Sequence, residues 1–351
     1  MTTDYRRMEE SITLSEHPVV EGGRELLTLN IGPHHPATHG VLRLLVTLDG
    51  EILRDVKPII GYVHTGIEKT AEQKSYWKAI PVMERMDYLS YYFNAMAFCG
   101  AVETLLELEV PKRAQYLRVI HMELNRIMSH LVWLGTSALD LGAISVWWYC
   151  FREREQLLDL FEMSSGQRMH TRYFQVGGVF EDLPHGWIEN CRAFTKVMPE
   201  RADVYGDLLN KNEIFIQRLR GVCPLSEEQL LALGVTGPLL RAAGVSYDVR
   251  KAQPYSGYER FDFEVPLGTK GDNYDRFLVR VNEIEQSMRI VEQGLREIPD
   301  GPIRIDDPRY VLPEKHQVYN SIEGLMHHFK LIMEGAKVPP GEVYQAVEGG
   351  N

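Results

Sequence analysis

The chain has 351 residues, 44% hydrophobic and 25% charged, with 38 Lys+Arg against 49 Asp+Glu and a formal net charge of −11. This is the composition of a globular protein large enough for a substantial core. Its acidic balance argues against nucleic acid as a partner, which calls for a clustered basic surplus.

The most apolar stretch, residues 142–151, falls well short of the roughly 18–20 residues that a membrane-spanning helix needs. The N-terminus, MTTDYRRMEES, is charged and has no apolar signal core. A soluble chain that reaches a membrane only through a partner is therefore expected. Cys99, Cys150, Cys191 and Cys223 form no C-x-x-C motif and are read as reduced, mostly buried thiols. An iron–sulfur cluster held wholly by this chain is not expected.

In chain order, residues 26–31 and 41–48 have strand composition, Asp49-Gly50 supplies a turn, and residues 59–61 extend a small antiparallel sheet. Between the first two strands, residues 32–40 hold two prolines and two glycines and read as a fixed loop. That loop carries His34, His35 and His39. Three histidines so close suggest a metal site, but Pro36 argues against a helical ligand pair. Histidines acting as donors or proton carriers, or simply exposed, are the other readings.

From about residue 63 the signals turn helical. Leu117, Ile120, Leu124, Ile127, Leu131 and Leu134 recur at 3,4,3,4,3 spacing, which predicts a helix over 114–134 with one buried face. Residues 274–297 form a second, with Asp272 or Asn273 as cap and Pro299 beyond its end. Further helices are predicted at about 84–107, 145–164, 188–217 and 319–334, with a long irregular segment over 243–265. The fold class is α+β, a small N-terminal antiparallel sheet packed on a mainly helical body. The division expected is 1–62, the β region with the histidine loop, and 63–351, the helical body, as one integrated domain.

Three further constellations could carry chemistry. Glu84-Arg85-Met86-Asp87-Tyr88-Leu89-Ser90 places Arg85, Asp87 and Tyr88 at the start of a predicted helix. A tyrosine there could donate to a ligand carbonyl, or the segment could be only a helix start with a favourable acid. Asp140, between Leu139 and Leu141, is either turned to water or buried with a cationic partner. His170, in Gly166-Gln167-Arg168-Met169-His170, stands in what could be no more than a polar turn.

Taken together, several blocks resemble the D subunits of bacterial NADH–quinone oxidoreductases. They are residues 27–40, LTLNIGPHHPATHG; 61–69, GYVHTGIEK; 85–88, RMDY; 139–143, LDLGA; 151–155, FRERE; and 247–258, YDVRKAQPYSGY. The resemblance runs from about residue 24 to 346. That family is similar to nickel–iron hydrogenase large subunits, whose R-x-C-x-x-C motif supplies metal thiolates. Here Asp87 and Ser90 stand in those places, and a carboxylate and a hydroxyl do not replace soft thiolates.

The resemblance implies the quinone-reduction site of a proton-pumping NADH–quinone oxidoreductase, active as part of a multi-subunit complex rather than as an isolated chain. Tyr88 and His39 match the donors to the two quinone carbonyls, and Asp140 the acid paired with that histidine. Arg85 and His170 match positions beside a [4Fe–4S] cluster held by the adjacent subunit. No cofactor bound by this chain alone is implied; quinone is the substrate. The implied partners are the cluster-bearing B subunit, the C and I subunits, and the membrane-embedded H subunit. The implied location is peripheral, on the cytoplasmic face of the bacterial inner membrane. The family continues past 337–344 into a C-terminal region carrying the second former ligand segment, which this sequence does not include. The alternatives are a metal-binding, hydrogenase-like protein and a purely structural assembly subunit.

Overall fold

The structure, a computed structural model, describes residues 19–21, 24–35, 38 and 40–350. Its contacts divide the chain into two units, residues 1–66 and 67–351. With a small antiparallel sheet in the first unit and helices throughout the second, the α+β class stands.

The first unit is an antiparallel meander of β1 (Val19–Glu21), β2 (Arg24–Ile31), β3 (Arg43–Asp49) and β4 (Ile52–Ile59), in that order. Thr28 pairs with Thr47, and Val46 with Val56. The fourth strand is longer and earlier than expected. Arg54, Asp55, Lys57 and Pro58 hide it from an apolar reading, and almost the whole strand is exposed. Asp49-Gly50 makes the predicted turn, with Gly50 at φ +63°.

Of the 32–40 loop the structure describes residues 32–35, 38 and 40, none of them in a strand or an α-helix. Gly32 sits at φ +86°, and a Cβ there would meet the Leu42 carbonyl oxygen at 2.0 Å, so only glycine fits. Thr38 donates from its backbone N–H and from its hydroxyl to the His35 carbonyl, at 3.1 and 2.7 Å. Arg43 ties β2 and β3 to the segment after β4, donating to Asn30 Oδ1 at 2.8 Å and to the Tyr62 hydroxyl at 3.0 Å.

The second unit is helical. α1 (Ile67–Glu72), α2 (Tyr76–Met83) and α3 (Tyr91–Leu105) lead to the long α4 (Lys112–Asp140) and α5 (Ile144–Ser165). A hairpin, β5 (Phe174–Gln175) and β6 (Gly178–Val179), precedes α6 (Trp187–Asn210) and α7 (Glu213–Leu219). Three short helices come next, α8 (Glu227–Ala232), α9 (Gly237–Ala242) and α10 (Val249–Ala252). Then come α11 (Asn273–Glu297), α12 (Lys315–Asn320) and α13 (Ile322–Met333). Asp272 is the α11 cap, accepting from the Asp275 N–H.

Helix α4 is the axis of this unit, packed against α5 and α11. All six residues of its apolar stripe are buried, but so are Arg118, His121, Glu123, Asn125, Arg126, Ser129 and His130. The expectation of one buried face is therefore too narrow. Periodicity registers apolar side chains only, whereas here the polar face is also interior because its charges find partners.

Glu123 accepts from Arg126 at 3.2 Å, Arg250 at 3.2 Å, Tyr258 at 2.5 Å and Ser287 at 2.7 Å. Arg250 also grips Asp248 at 2.6 Å. Arg241 joins Glu283 and Glu348, at 2.7 and 2.8 Å, and Glu283 meets His130 at 2.7 Å. Burial raises the Glu123 carboxyl, but Arg126 and Arg250 outweigh it and hold the group below its ordinary value.

Among the described residues no helix is long and apolar enough to cross a membrane. Cys99, Cys150 and Cys191 are buried, Cys223 is exposed, and all four are free.

Candidate functional site

Residues 84–90 are not the start of a helix, as expected, but a run of turns between α2 and α3. Pro81 lies in the last turn of α2, and Asp87 turns its carboxylate onto the Leu89 N–H at 3.0 Å, an alternative to helical bonding. Asn125, buried in the middle of α4, holds the run in place. Its Nδ2 donates to the Leu89 carbonyl at 2.9 Å, and its Oδ1 accepts from the Tyr92 N–H at 3.3 Å. Ser90, at a position the resemblance assigns to a lost thiolate, accepts from the Gly350 N–H at 3.3 Å.

This leaves two side chains projecting from a rigid turn. Tyr88 is 54% exposed, although it is a large aromatic on a well-anchored segment. Arg85 is exposed, donates to the Pro81 carbonyl at 2.6 Å, and forms no ion pair among the described residues.

The second wall is the loop between α5 and β5. α5 closes at Gly166, left-handed at φ +76° as a helix end favours. Then His170 and Arg172 adopt φ +53° and +49°, a region costing a non-glycine residue roughly 1–2 kcal/mol. His170 packs its ring 5.6 Å from Tyr91, whose hydroxyl donates to the Arg168 carbonyl at 3.3 Å. The Arg172 guanidinium lies 5.8 Å from the Trp77 ring.

Arg154, from α5, lies against the Phe151 ring and approaches Met169. Among the described residues neither Arg154 nor Arg172 is ion-paired. Burial, then the Arg85 charge, lowers the His170 pKa. Burial likewise lowers that of Arg154, against the opposing pull of Tyr91, Glu155 and Tyr88.

Beneath both walls lies Glu84, with no solvent exposure. Its two oxygens accept from the Arg172 N–H at 2.9 and 3.1 Å. Burial pushes its carboxyl up to about 7, against that hydrogen bond and the charges of Arg85 and Arg172.

Arg85, Tyr88 and His170, separated by up to 85 positions in sequence, thus meet around Glu84, Tyr91 and Arg154. Asp140 is the exposed last residue of α4, fifteen residues beyond Asn125 in the chain. His39 lies outside the described residues; His34 and His35 are exposed.

Sequence pattern alone gave Glu84, Arg154 and Arg172 no role. The faint signal for Arg154 is its place in Phe151-Arg152-Glu153-Arg154 on an otherwise apolar helix; Glu84 and Arg172 meet only across 88 positions. A tyrosine hydroxyl and nearby cations without carboxylate partners can receive negative charge developing on a ligand.

Residues 140–351 match the family model described as the respiratory-chain NADH dehydrogenase 49 kDa subunit. The chain is 51% identical over 332 residues to a D subunit of the NADH-quinone oxidoreductase of Koribacter versatilis, covering 94% of this chain and 83% of that one. It is 52% identical over 334 residues to a D subunit of the corresponding enzyme of Chloroflexus aurantiacus, covering 94% and 81%. The D subunit from Geotalea uraniireducens is 49% identical over 324 residues, covering 92% and 83%.

Proposed function

Because the chain belongs to the family of the 49 kDa subunit of respiratory-chain NADH dehydrogenase, we propose that its Arg85–Tyr88 turn and the loop bearing His170 border the place where quinone is reduced. The chain is the quinone-site subunit of an NADH–quinone oxidoreductase and works within a multi-subunit complex.

Tyr88 donates a hydrogen bond to one quinone carbonyl and His39 approaches the other. Asp140 pairs with His39 and keeps that imidazole charged. As reduction places negative charge on the quinone oxygens, both donors strengthen their bonds and supply protons to them. Arg85 and His170 face the [4Fe–4S] cluster of the adjacent B subunit. There a cation and an N–H donor favour the more negative, reduced cluster. The C and I subunits and the membrane-embedded H subunit are the other neighbours, and the chain lies peripherally on the cytoplasmic side of the membrane.

The observation that supports this reading most is Tyr88 itself. It is half exposed on a turn locked by Asn125, beside arginines that have no carboxylate partner among the described residues. Arg154 among them is partly buried against the Phe151 ring, and a purely structural segment would pair such a charge.

The test is Tyr88→Phe in the assembled complex, assayed with short-tailed quinones. Loss of one directed hydrogen bond is expected to lower turnover tenfold or more while assembly is unaffected. Wild-type turnover across such quinones would contradict the assignment.

A further inference from the structure

Among the described residues only five non-glycine residues have positive φ, and two of them, His170 and Arg172, flank a single residue, Thr171. Such crowding of left-handed backbone persists only where the surroundings impose it. Thr171 is buried, and the loop runs directly into the β5–β6 hairpin. That hairpin is fixed independently by Arg118, which donates to the Gln175 and Gly178 carbonyls at 2.6 and 2.9 Å while pairing with Glu103. The far end of the loop is therefore rigid, and its near end is held by Tyr91 on the Arg168 carbonyl.

Between these anchors, among the described residues, the one polar side chain that grips the backbone of residues 170–172 is Glu84, with both carboxylate oxygens on the Arg172 N–H. Glu84 immediately precedes Arg85 in the chain. One buried side chain thus joins the segment that carries Arg85 and Tyr88 to the loop that carries His170.

We propose that Glu84 is a positioning residue: by accepting the Arg172 N–H it holds residues 170–172 left-handed and so sets His170 against Arg85. The proposal rests on the reading that Arg85 and His170 serve quinone reduction, and it adds a residue that touches neither quinone nor cluster. Removing the carboxyl takes the acceptor from a partly buried N–H, and the loop then relaxes toward ordinary backbone angles. A glutamine keeps one acceptor oxygen at nearly the same place.

The experiment compares Glu84→Ala and Glu84→Gln in the assembled complex, reading amide hydrogen exchange of the peptide spanning 168–173 alongside quinone reduction. In E84A, exchange there is expected to rise at least tenfold and kcat to fall about tenfold, with KM changed less than twofold. E84Q is expected to return both to within threefold of wild type, a rescue that lost packing alone would not produce. Should E84A fail to assemble, Glu84→Asp, whose acceptor is withdrawn by one methylene, is read in its place with the same two outcomes.

Unchanged exchange at 168–173 overturns the proposal, and so does a loosened loop with wild-type kcat. The exchange measurement uses no quinone. Failure of the quinone-site reading, seen as Tyr88→Phe turning over normally, is therefore distinguished from failure of this proposal, seen as an unmoved loop.

Discussion

Glu123 and Glu84 are both fully buried carboxylates of the helical unit, and their surroundings differ in kind. Glu123 meets two guanidiniums, a tyrosine and a serine, and its pKa falls. Glu84 meets one backbone N–H, and its pKa rises to about 7. Around Glu123 charge is neutralised inside a network that leaves nothing for a ligand. Around Glu84, among the described residues, Arg85, Arg154 and Arg172 form no ion pair, and Arg85 and Arg172 are exposed, as is Tyr88. The contrast separates a region where buried charge maintains the fold from the one proposed to border the quinone.

The sharpest way to break that division is to unpair the interior. Glu123→Ala leaves Arg126 without a counter-charge and Arg250 with Asp248 alone, and should cost about 3–5 kcal/mol in chemical denaturation. If the variant loses quinone turnover at temperatures where it remains folded, the interior network is not merely structural.

The second effect is a pH dependence with opposite signs at two groups. Glu84 titrates higher in the folded chain than in the unfolded one, so its contribution is present at low pH and is lost as pH rises from about 4.5 through about 7. At about 1.4 kcal/mol per unit the loss is about 3 kcal/mol, and Glu84→Gln should abolish it.

His121 behaves in reverse. It is buried, bonded to the Leu117 carbonyl and Ser164, and stacked on Trp187, and burial lowers its pKa to about 4. Its contribution is lost as pH falls from about 6.5 through about 4, again by about 3 kcal/mol. Denaturation midpoints measured from pH 4 to 8 check both limbs. The two windows overlap and offset each other in the wild type, so between about pH 4.5 and 6.5 stability should fall with rising pH in His121→Gln and rise with it in E84Q; a slope unchanged in either variant rejects that assignment.

The smallest effect belongs to a region that takes part in neither network. Asn212 caps α7 through the Ile214 and Phe215 N–H groups, and Asn212→Ala should cost about 1 kcal/mol with quinone turnover intact. A larger loss, read by the same denaturation, would mean that this helix end supports more than itself.

The regular parts of the helical unit were legible because their apolar spacing is strong. Helix α4 was found, although it runs past the predicted 114–134 to Lys112 and Asp140, and α11 was found almost to the residue with its Asp272 cap. The predicted 188–217 helix is two helices, broken where Asn212 caps the second. The irregular 243–265 segment contains the short α10, too brief to leave a periodic signal.

Less of the site was legible. Of the five residues that the resemblance singled out, the fold brings Arg85, Tyr88 and His170 to one place, Asp140 ends α4, and His39 lies outside the described residues. The resemblance could not indicate Glu84, because nothing local distinguishes a carboxyl whose partner is a backbone N–H 88 residues away. Nor does any spacing rule foresee Ser90 meeting Gly350 across 260 positions. Residues 84–90 were misread as helical because the Asp87 side chain competes with the backbone there.

Photolabelling tests most directly whether quinone chemistry lies at the Arg85–Tyr88 turn and the His170 loop. A photoreactive short-tailed quinone, cross-linked in the assembled complex and mapped by peptide mass spectrometry, should modify peptides covering residues 85–92 or 168–173, with labelling suppressed by excess quinone. Quinone-suppressible labelling that spares both peptides and appears elsewhere would contradict that placement.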